Sequence, residues 1–371
     1  MVLTKSAKSI IKKNTRKVES PWKGPSADGV TQSMICSYLV CPERFRVKAI
    51  EGWQPIDSFQ KAMEYGNLWH ICEENFAAGK PYEEDLRKYA TELARKYPLA
   101  QVDIEKWWNI CLLQFPIYVD YWKKQPDVKK RIPICQEKCF GIRYELPSGR
   151  DVTLRGKFDS VDRISKRVWL QENKTKGDIK EAQLERQLTF DIQTMYYLIA
   201  LLHDPEIKGT PAGIRYNVIR RPLAGGKGSI RPHKATKTKE AETMDHYYDR
   251  LKAIIEEDAS EAEGDCTFFM RWKLEVSREE MDRFKRLTMN PILENLYDDY
   301  EWWDYCKDEK CDPFDYSERS QVFSYHQARH YVHPFGVYNV LNEGGSTDMD
   351  EYLRTGSTVG LERAATMFPE L

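Results

Sequence analysis

The sequence predicts an α/β fold in which a mixed central sheet is flanked by helices, with a helical region on its N-terminal side. Two observations predict it. Apolar residues recur at helical spacing from about Ser33 to Lys124, and from Ile132 the period changes to two. After that change three strands come first, then a long helix, then another strand. This order suits a mixed sheet better than a doubly wound nucleotide fold, in which strands and helices alternate.

The elements follow in order. Residues 1–30 carry lysine and arginine with no acid before Glu19, and Pro21, Gly24, Pro25 and Gly29 punctuate them. A disordered basic arm is expected there. Ser33 to Ile50 reads as a helix that Pro42 splits in two. Asp57 to Phe76 is a second helix, with Phe59, Met63, Gly66 and His70 on one side and Gly79, Lys80 and Pro81 closing it. Helices near Glu83–Tyr97 and Val102–Lys124 form a helical insertion over 76–130, and its aromatics (Trp107, Trp108, Phe115, Tyr118, Tyr121, Trp122) read as core. Strands are expected at 134–145, 151–163 and 167–174, with turns at Pro147-Ser148-Gly149 and Ser165-Lys166-Arg167. A helix from Lys180 to His203, a strand at 213–220 and a basic segment at 221–240 come next. A helix at 241–257, a strand at 266–275 and a helix from Arg278 to Tyr305 complete a domain spanning 31–305. Residues 306–371 form a C-terminal extension for which the sequence predicts no structure.

Composition bounds the function. Hydrophobic residues make up 41% and charged residues 31% of the chain, as in soluble globular proteins. No apolar run approaches the roughly 18 residues of a membrane span, so no membrane role is expected. The net charge of −1 excludes a uniformly basic chain, so any polyanion must meet cations gathered on one surface. Nine cysteines, an odd number, with no secretory-type apolar segment, read mostly as reduced cytoplasmic thiols.

The stretch 156–174 carries the chemistry. Alternation puts Val168, Leu170, Glu172 and Lys174 on one strand face. The first two are apolar, so Glu172 and Lys174 end a buried face, where unpaired charges would cost several kcal/mol. A divalent cation and a phosphate would relieve that cost. Asp159 lies on the preceding strand, and the hairpin turn returns it towards Glu172. Asp162, nearer the turn and on the other face, reads as a solvated carboxylate. His70 follows Gly66 by one helical turn, with Glu73 and Glu74 one turn further, and is a candidate nitrogen ligand. The glycine would let another element approach closely. Gln193 and Tyr197 share a helix face and suit contacts to phosphate or base. Arg215, Arg220, Arg221, Lys227, Arg231 and Lys234, with Lys237 and Lys239 beyond, form a basic cluster that could clamp phosphates in a salt-sensitive way. Gly225-Gly226-Lys227-Gly228-Ser229 lacks the spacing of a phosphate loop. Two carboxylates and an ammonium beside a cation point to metal-dependent phosphodiester cleavage.

Gly66-x-x-x-His70, Gly156-x-x-Asp159, Glu172-x-Lys174 and Gln193-x-x-x-Tyr197 occur in the order found in the PD-(D/E)XK nuclease superfamily. The set most resembles its RecB-type branch, which includes CRISPR-associated RecB-like and phage exonucleases. Ser33…Leu39-x-Cys41-Pro42-x-x-Phe45 also resembles that branch's N-terminal helix. The resemblance covers about 33–200 and implies a restriction-endonuclease-like core. It implies Mg²⁺ or Mn²⁺ held by His70, Asp159, Glu172 and the backbone carbonyl of Asn173. Hard oxygen donors favour these ions over zinc. Lys174 would orient the attacking water or stabilise developing charge, while Gln193 and Tyr197 would position DNA. The implied activity is a DNA exonuclease of recombination, repair or phage DNA processing, with a helicase or recombinase partner by analogy. A structure-specific or restriction-like endonuclease, and a non-catalytic DNA-binding subunit that keeps the fold, stay open. Several RecB-type nucleases also hold an iron–sulfur cluster on a cysteine of the Cys-Pro helix and three near the C-terminus. Cys41 matches the first, but only Cys306 and Cys311 lie near the C-terminus, with Cys266 far upstream. No cluster is therefore expected, and Cys41 reads as a buried apolar residue.

Overall fold

The computed structural model describes residues 20–124, 131–189, 191–223, 229–260, 266–309 and 347–368. The chain forms two compact units, one of residues 1–56, 145–153 and 292–371, the other of 57–144 and 154–291.

In the first unit, β1 (Val30–Thr31) leads into α1 (Gln32–Val40). Thr31 Oγ1 accepts the Met34 N–H at 3.3 Å, a side-chain cap for the first turn. Pro42 opens α2 (Pro42–Arg46), where its missing N–H costs nothing. The predicted 33–50 helix thus splits at Pro42. Cys41 is buried, and its Sγ also accepts the Arg44 N–H at 3.4 Å, so it caps α2. A π-turn over Val47–Glu51 and a left-handed Gly52 lead into β2 (Trp53–Pro55). Residues 20–30 are packed rather than part of a disordered arm. Trp22 is fully buried between Phe45 and Tyr300, and its indole N–H donates to the Gly29 carbonyl at 2.8 Å. Burial of that ring outweighs the flexibility its Pro and Gly neighbours suggested. The rest of the arm, residues 1–19, lies outside the described residues.

The second unit begins with α3 (Lys61–Ala77), α4 (Glu83–Lys96) and α5 (Gln101–Lys123). The strands β3 (Arg131–Glu145), β4 (Asp151–Ile164) and β5 (Arg167–Lys176) follow, although Glu145 and the first three residues of β4 belong to the first unit. Then come α6 (Glu181–Thr189), α7 (Ile192–His203), β6 (Pro211–Arg220), α8 (Met244–Ser260), β7 (Phe269–Glu275) and α9 (Arg278–Phe284). A π segment, Lys285–Met289, separates α9 from α10 (Asn290–Glu309), so the helix predicted from Arg278 is interrupted. Part of the C-terminal extension is regular: α11 (Thr347–Thr355) and β8 (Leu361–Arg363), the latter antiparallel to β2. Residues 310–346 lie outside the described residues.

The strands of the second unit lie in the order β3–β4–β5–β6–β7. β4 and β5 are antiparallel across Ser165 and Lys166, both with φ in the left-handed region that a two-residue hairpin demands. β5 and β6 are parallel, joined through α6 and α7, and β6 and β7 are antiparallel. The sheet is therefore mixed, as the element order predicted. Every residue of β6 is buried. The helix predicted over 180–203 is broken at Asp191, whose carboxylate accepts the Gln193 N–H at 3.0 Å and caps α7. A short acid that can bond its own neighbouring backbone favours such a cap over a helix interior.

The aromatics of the insertion are core. Trp107, Phe115 and Tyr118 of α5 pack with Tyr65 and Trp69 of α3 and with Tyr247 and Leu251 of α8. Each such side chain, fully buried, stabilises by roughly 1.5–3 kcal/mol. This packing fixes α3, the helix that carries His70. Among the described residues no helix is long and apolar enough to cross a membrane.

Candidate metal centre and active site

The β4–β5 ladder runs from the hairpin turn as far as the pair Ser160↔Gln171. One residue further on, the Asp159 carboxylate takes over as acceptor, and the Asn173 N–H donates to its Oδ2 at 2.7 Å. Side-chain capture of a backbone donor satisfies the amide where the strands cease to pair. Asp159 Oδ1 is left facing His70, 3.9 Å from Nδ1.

Glu172, the next residue along β5, is 4% exposed. Its Oε1 accepts from Lys174 Nζ at 2.8 Å and from Gln193 Nε2 at 2.5 Å. Gln193 Oε1 in turn accepts from Lys174 Nζ at 2.7 Å. Glu172 Oε2 is buried without a hydrogen-bond partner. Burial, and then the Asp159 charge, pushes the Glu172 carboxyl up to about 7. Burial also raises Asp159, against the pull of His70 and the Asn173 N–H. Burial would lower Lys174, but its Glu172 partner outweighs it and holds the ammonium above its ordinary range. For His70 burial is again the largest effect, yet the Asp159, Glu137 and Glu172 carboxylates overcome it and raise the imidazole to about 9.

Two glycines of the motifs behave differently. A Cβ at Gly156 would fall 2.6 Å from the Phe140 ring and 3.0 Å from that of Tyr197, so only glycine fits there. A Cβ at Gly66 would meet Thr175 Oγ1 at an ordinary 3.7 Å. The approach of α3 to β5 therefore does not depend on that missing side chain. Tyr197 stands edge-on to Phe140 and Phe158, which stack at 4.3 Å. Burial, with the Glu172 and Asp159 charges, raises its hydroxyl pKa. Asn173 accepts from Asn217 Nδ2 at 3.0 Å, and Asn217 accepts from Arg271 Nε at 2.6 Å, so the neighbour of Glu172 is braced from β6 and β7.

His70, Asp159, Glu172, Asn173, Lys174, Gln193 and Tyr197 thus converge. Gln193 is engaged with Glu172 and Lys174 rather than turned outward. Glu73, one turn beyond His70, is buried and its carboxyl is raised by that burial, while Glu74 is exposed.

Other predicted residues fall elsewhere. Arg215 is 2% exposed, at the middle of the covered strand β6, with Nη1 4.0 Å from Asp162. Arg220 is also buried, its guanidinium over the Phe268 ring and donating to Thr267 Oγ1 at 3.3 Å. Both belong to the interior, not to a phosphate clamp. Arg221 is half-buried, and burial lowers its pKa. Arg231 and Lys234 are exposed. Their segment is tied to α8 by Arg250, which bonds Glu242 at 2.7 and 2.8 Å and the Arg231 carbonyl at 3.0 Å. Lys227 and Cys311 lie outside the described residues. Asp162 is fully buried rather than solvated: it pairs with Arg131 Nε at 2.8 Å and accepts from Ser160 Oγ at 3.1 Å. An acid there without its arginine would cost several kcal/mol.

One residue was missed. Glu137 of β3 accepts from His70 Nδ1 at 3.1 Å and pairs with Lys157 Nζ at 2.5 Å. His70, Glu137 and Asp159 offer ligand atoms within 4.8 Å of one another, a spacing that a metal ion can bridge. The sequence signal was the run Gln136-Glu137-Lys138, which breaks the apolar alternation of that strand. The donor set fits a hard divalent cation: carboxylate oxygens, one imidazole, and a buried carboxylate oxygen otherwise unsatisfied.

The family model of the PD-(D/E)XK nuclease superfamily matches residues 30–268. No curated protein matches the chain.

Proposed function

This chain belongs to the PD-(D/E)XK nuclease superfamily, and from that premise we propose that it is a divalent-metal-dependent deoxyribonuclease that digests DNA from an end. The observation that carries the reading is the shared Glu172 carboxylate. One oxygen is fixed by Lys174 and Gln193, and the other is buried with no partner beside Asp159. A carboxylate so placed is costly unless a cation completes it.

His70, Asp159, Glu172 and the Asn173 carbonyl would hold Mg²⁺ or Mn²⁺. When bound, the ion supplies Lewis-acid polarisation of the phosphate and makes water a stronger acid near neutral pH. Lys174 stays protonated, because Glu172 raises its pKa. It therefore serves as a hydrogen-bond donor that orients water and offsets charge developing on the phosphate, not as a base. Gln193 holds Lys174 and Glu172 in register. Tyr197, rigid against Phe140 and Phe158, presents its hydroxyl to the DNA backbone. Arg231 and Lys234 supply exposed cations for phosphates further along. Digestion from an end, a role in recombination, repair or phage DNA processing, and a helicase or recombinase partner rest on the RecB-type order of the motifs.

Labelled linear single- and double-stranded DNA and closed-circular DNA, each with Mg²⁺, Mn²⁺ or EDTA, test the proposal. Linear DNA should shorten from an end with a divalent ion, and closed circles should survive. Cleavage of closed circles would make the protein an endonuclease. No cleavage of any substrate would leave a DNA-binding subunit.

A further inference from the structure

Glu137 is the site's unexplained acid. Its backbone has φ 46, a left-handed conformation in a non-glycine strand residue. Such a backbone costs roughly 1–2 kcal/mol and persists only where its surroundings impose it. The distortion turns the carboxylate inward, where its side chain is 6% exposed. Lys157 occupies Oε2 at 2.5 Å, so Oε1 is the oxygen turned towards His70 and Asp159.

The distances suit coordination. Bonds of about 2.1 Å in an octahedron put adjacent ligand atoms about 3.0 Å apart and opposite ones about 4.2 Å apart. Glu137 Oε1 lies 3.1 Å from His70 Nδ1, near the adjacent spacing. Asp159 Oδ1 lies 3.9 Å from the same nitrogen, between the two spacings. Independently, the buried Oε2 of Glu172 next to Asp159 has no partner. The Glu172 charge acts on both Asp159 and His70, so its unsatisfied oxygen belongs to the same group of side chains.

We propose that Glu137 is a further protein ligand of the divalent cation, donating Oε1 alongside His70, Asp159 and Glu172. The inference rests on the metal-dependent reading above. To hold the cation, His70 Nδ1 would have to give up the proton it donates to Glu137 Oε1, because an imidazole ligand is neutral. Lys157 keeps Glu137 monodentate by holding the other oxygen.

Mn²⁺ titration by calorimetry, with no DNA present, tests it. Glu137→Gln should weaken Mn²⁺ binding by about 10-fold or more, within the range that loss of a metal-site group produces. Lys157→Ala, which removes the ion pair but no ligand, should change it far less. A residue that only orients His70 would have no effect once His70 is gone. The decisive comparison is therefore His70→Gln against His70→Gln with Glu137→Gln. A further loss of several-fold in the double variant supports direct ligation, and no further loss overturns it. Circular dichroism in EDTA identifies variants that fail to fold. If Glu137→Gln is among them, Glu137→Asp, whose carboxylate is one methylene shorter, should bind Mn²⁺ several-fold more weakly than wild type, and equal affinity would overturn the proposal. Asp159→Ala separates the two readings. If it binds Mn²⁺ as tightly as wild type, the ion sits elsewhere and the metal-dependent reading fails with it. If Asp159→Ala loses the ion while Glu137→Gln keeps it, only the Glu137 proposal fails.

Discussion

The carboxylate of Asp159, one residue beyond Ser160 at the end of the β4–β5 ladder, accepts the backbone N–H of Asn173, two residues beyond Gln171, at 2.7 Å. Asp159 thereby does two jobs. One oxygen satisfies the backbone where the strands part, and the other faces His70. Asp159→Asn separates the jobs, because the amide oxygen can still accept from Asn173. The variant should keep its thermal midpoint in EDTA within a few degrees. Its nuclease rate should fall by at least about 10²-fold, the scale of losing a charged group that stabilises a transition state. A melting curve and a labelled-DNA assay measure the two effects separately.

Lys174 lies between Glu172 and Gln193. Lys174→Met keeps the aliphatic stem and removes the ammonium. The carboxylate then loses a charge-assisted hydrogen bond, at a cost of roughly 1.5–3 kcal/mol. Urea unfolding in EDTA should show that loss at pH 8 and less of it at pH 5.5. At the lower pH Glu172, raised to about 7 even in the native protein, binds a proton instead. Nuclease activity should be lost at both.

The metal-free site makes stability depend on pH. Glu172 is raised to about 7 and His70 to about 9 in the fold. A group with a raised native pKa contributes stability that is complete below its unfolded value and lost as pH climbs through its folded value. For Glu172 that window runs from about 4.3 to 7, and for His70 from about 6.5 to 9. Both act in the same direction. Urea midpoints in EDTA should therefore fall steadily between pH 5 and pH 9. Saturating Mn²⁺ should flatten or reverse the trend, because the ion binds the deprotonated ligands of the folded state. Midpoints that rise over this range in EDTA would contradict the electrostatics described for the site.

How much of this could be read from sequence follows from the same physics. The change of period at Ile132 marks the sheet, because side-chain alternation is a local property. Glu172 and Lys174 were legible for that reason: two residues apart, they ended an apolar face. Asp159 was legible through the hairpin, whose two-residue turn fixes the register. Glu137 was not, because its left-handed backbone departs from the alternation that would have shown its direction. Arg215 and Arg220 were misread because charge along a sequence does not reveal which strand lies between two others. β6 is covered throughout, so its arginines point into the protein. Asp162 was misread for the same reason. Proximity to a turn suggested solvent, and only the fold shows Arg131 closing over it.

Those arginines supply the last test. Arg215 is interior and near Asp162, whereas Lys234 is exposed. Removing the first should cost stability, and removing the second should cost only DNA affinity. Arg215→Met should lower the unfolding free energy by about 3 kcal/mol, since a buried acid loses part of its compensation. It should leave the salt dependence of DNA binding unchanged. Lys234→Ala should leave urea unfolding unchanged and reduce the slope of log affinity against log salt by about one, the signature of a single lost phosphate contact. Fluorescence anisotropy with labelled DNA from 50 to about 200 mM salt reads the slope, the range over which counterion release is easily resolved. A slope unchanged in Lys234→Ala would remove this segment from the DNA-binding surface. A slope reduced in stably folded Arg215→Met would mean that the buried guanidinium reaches DNA after all, contrary to its place in the sheet.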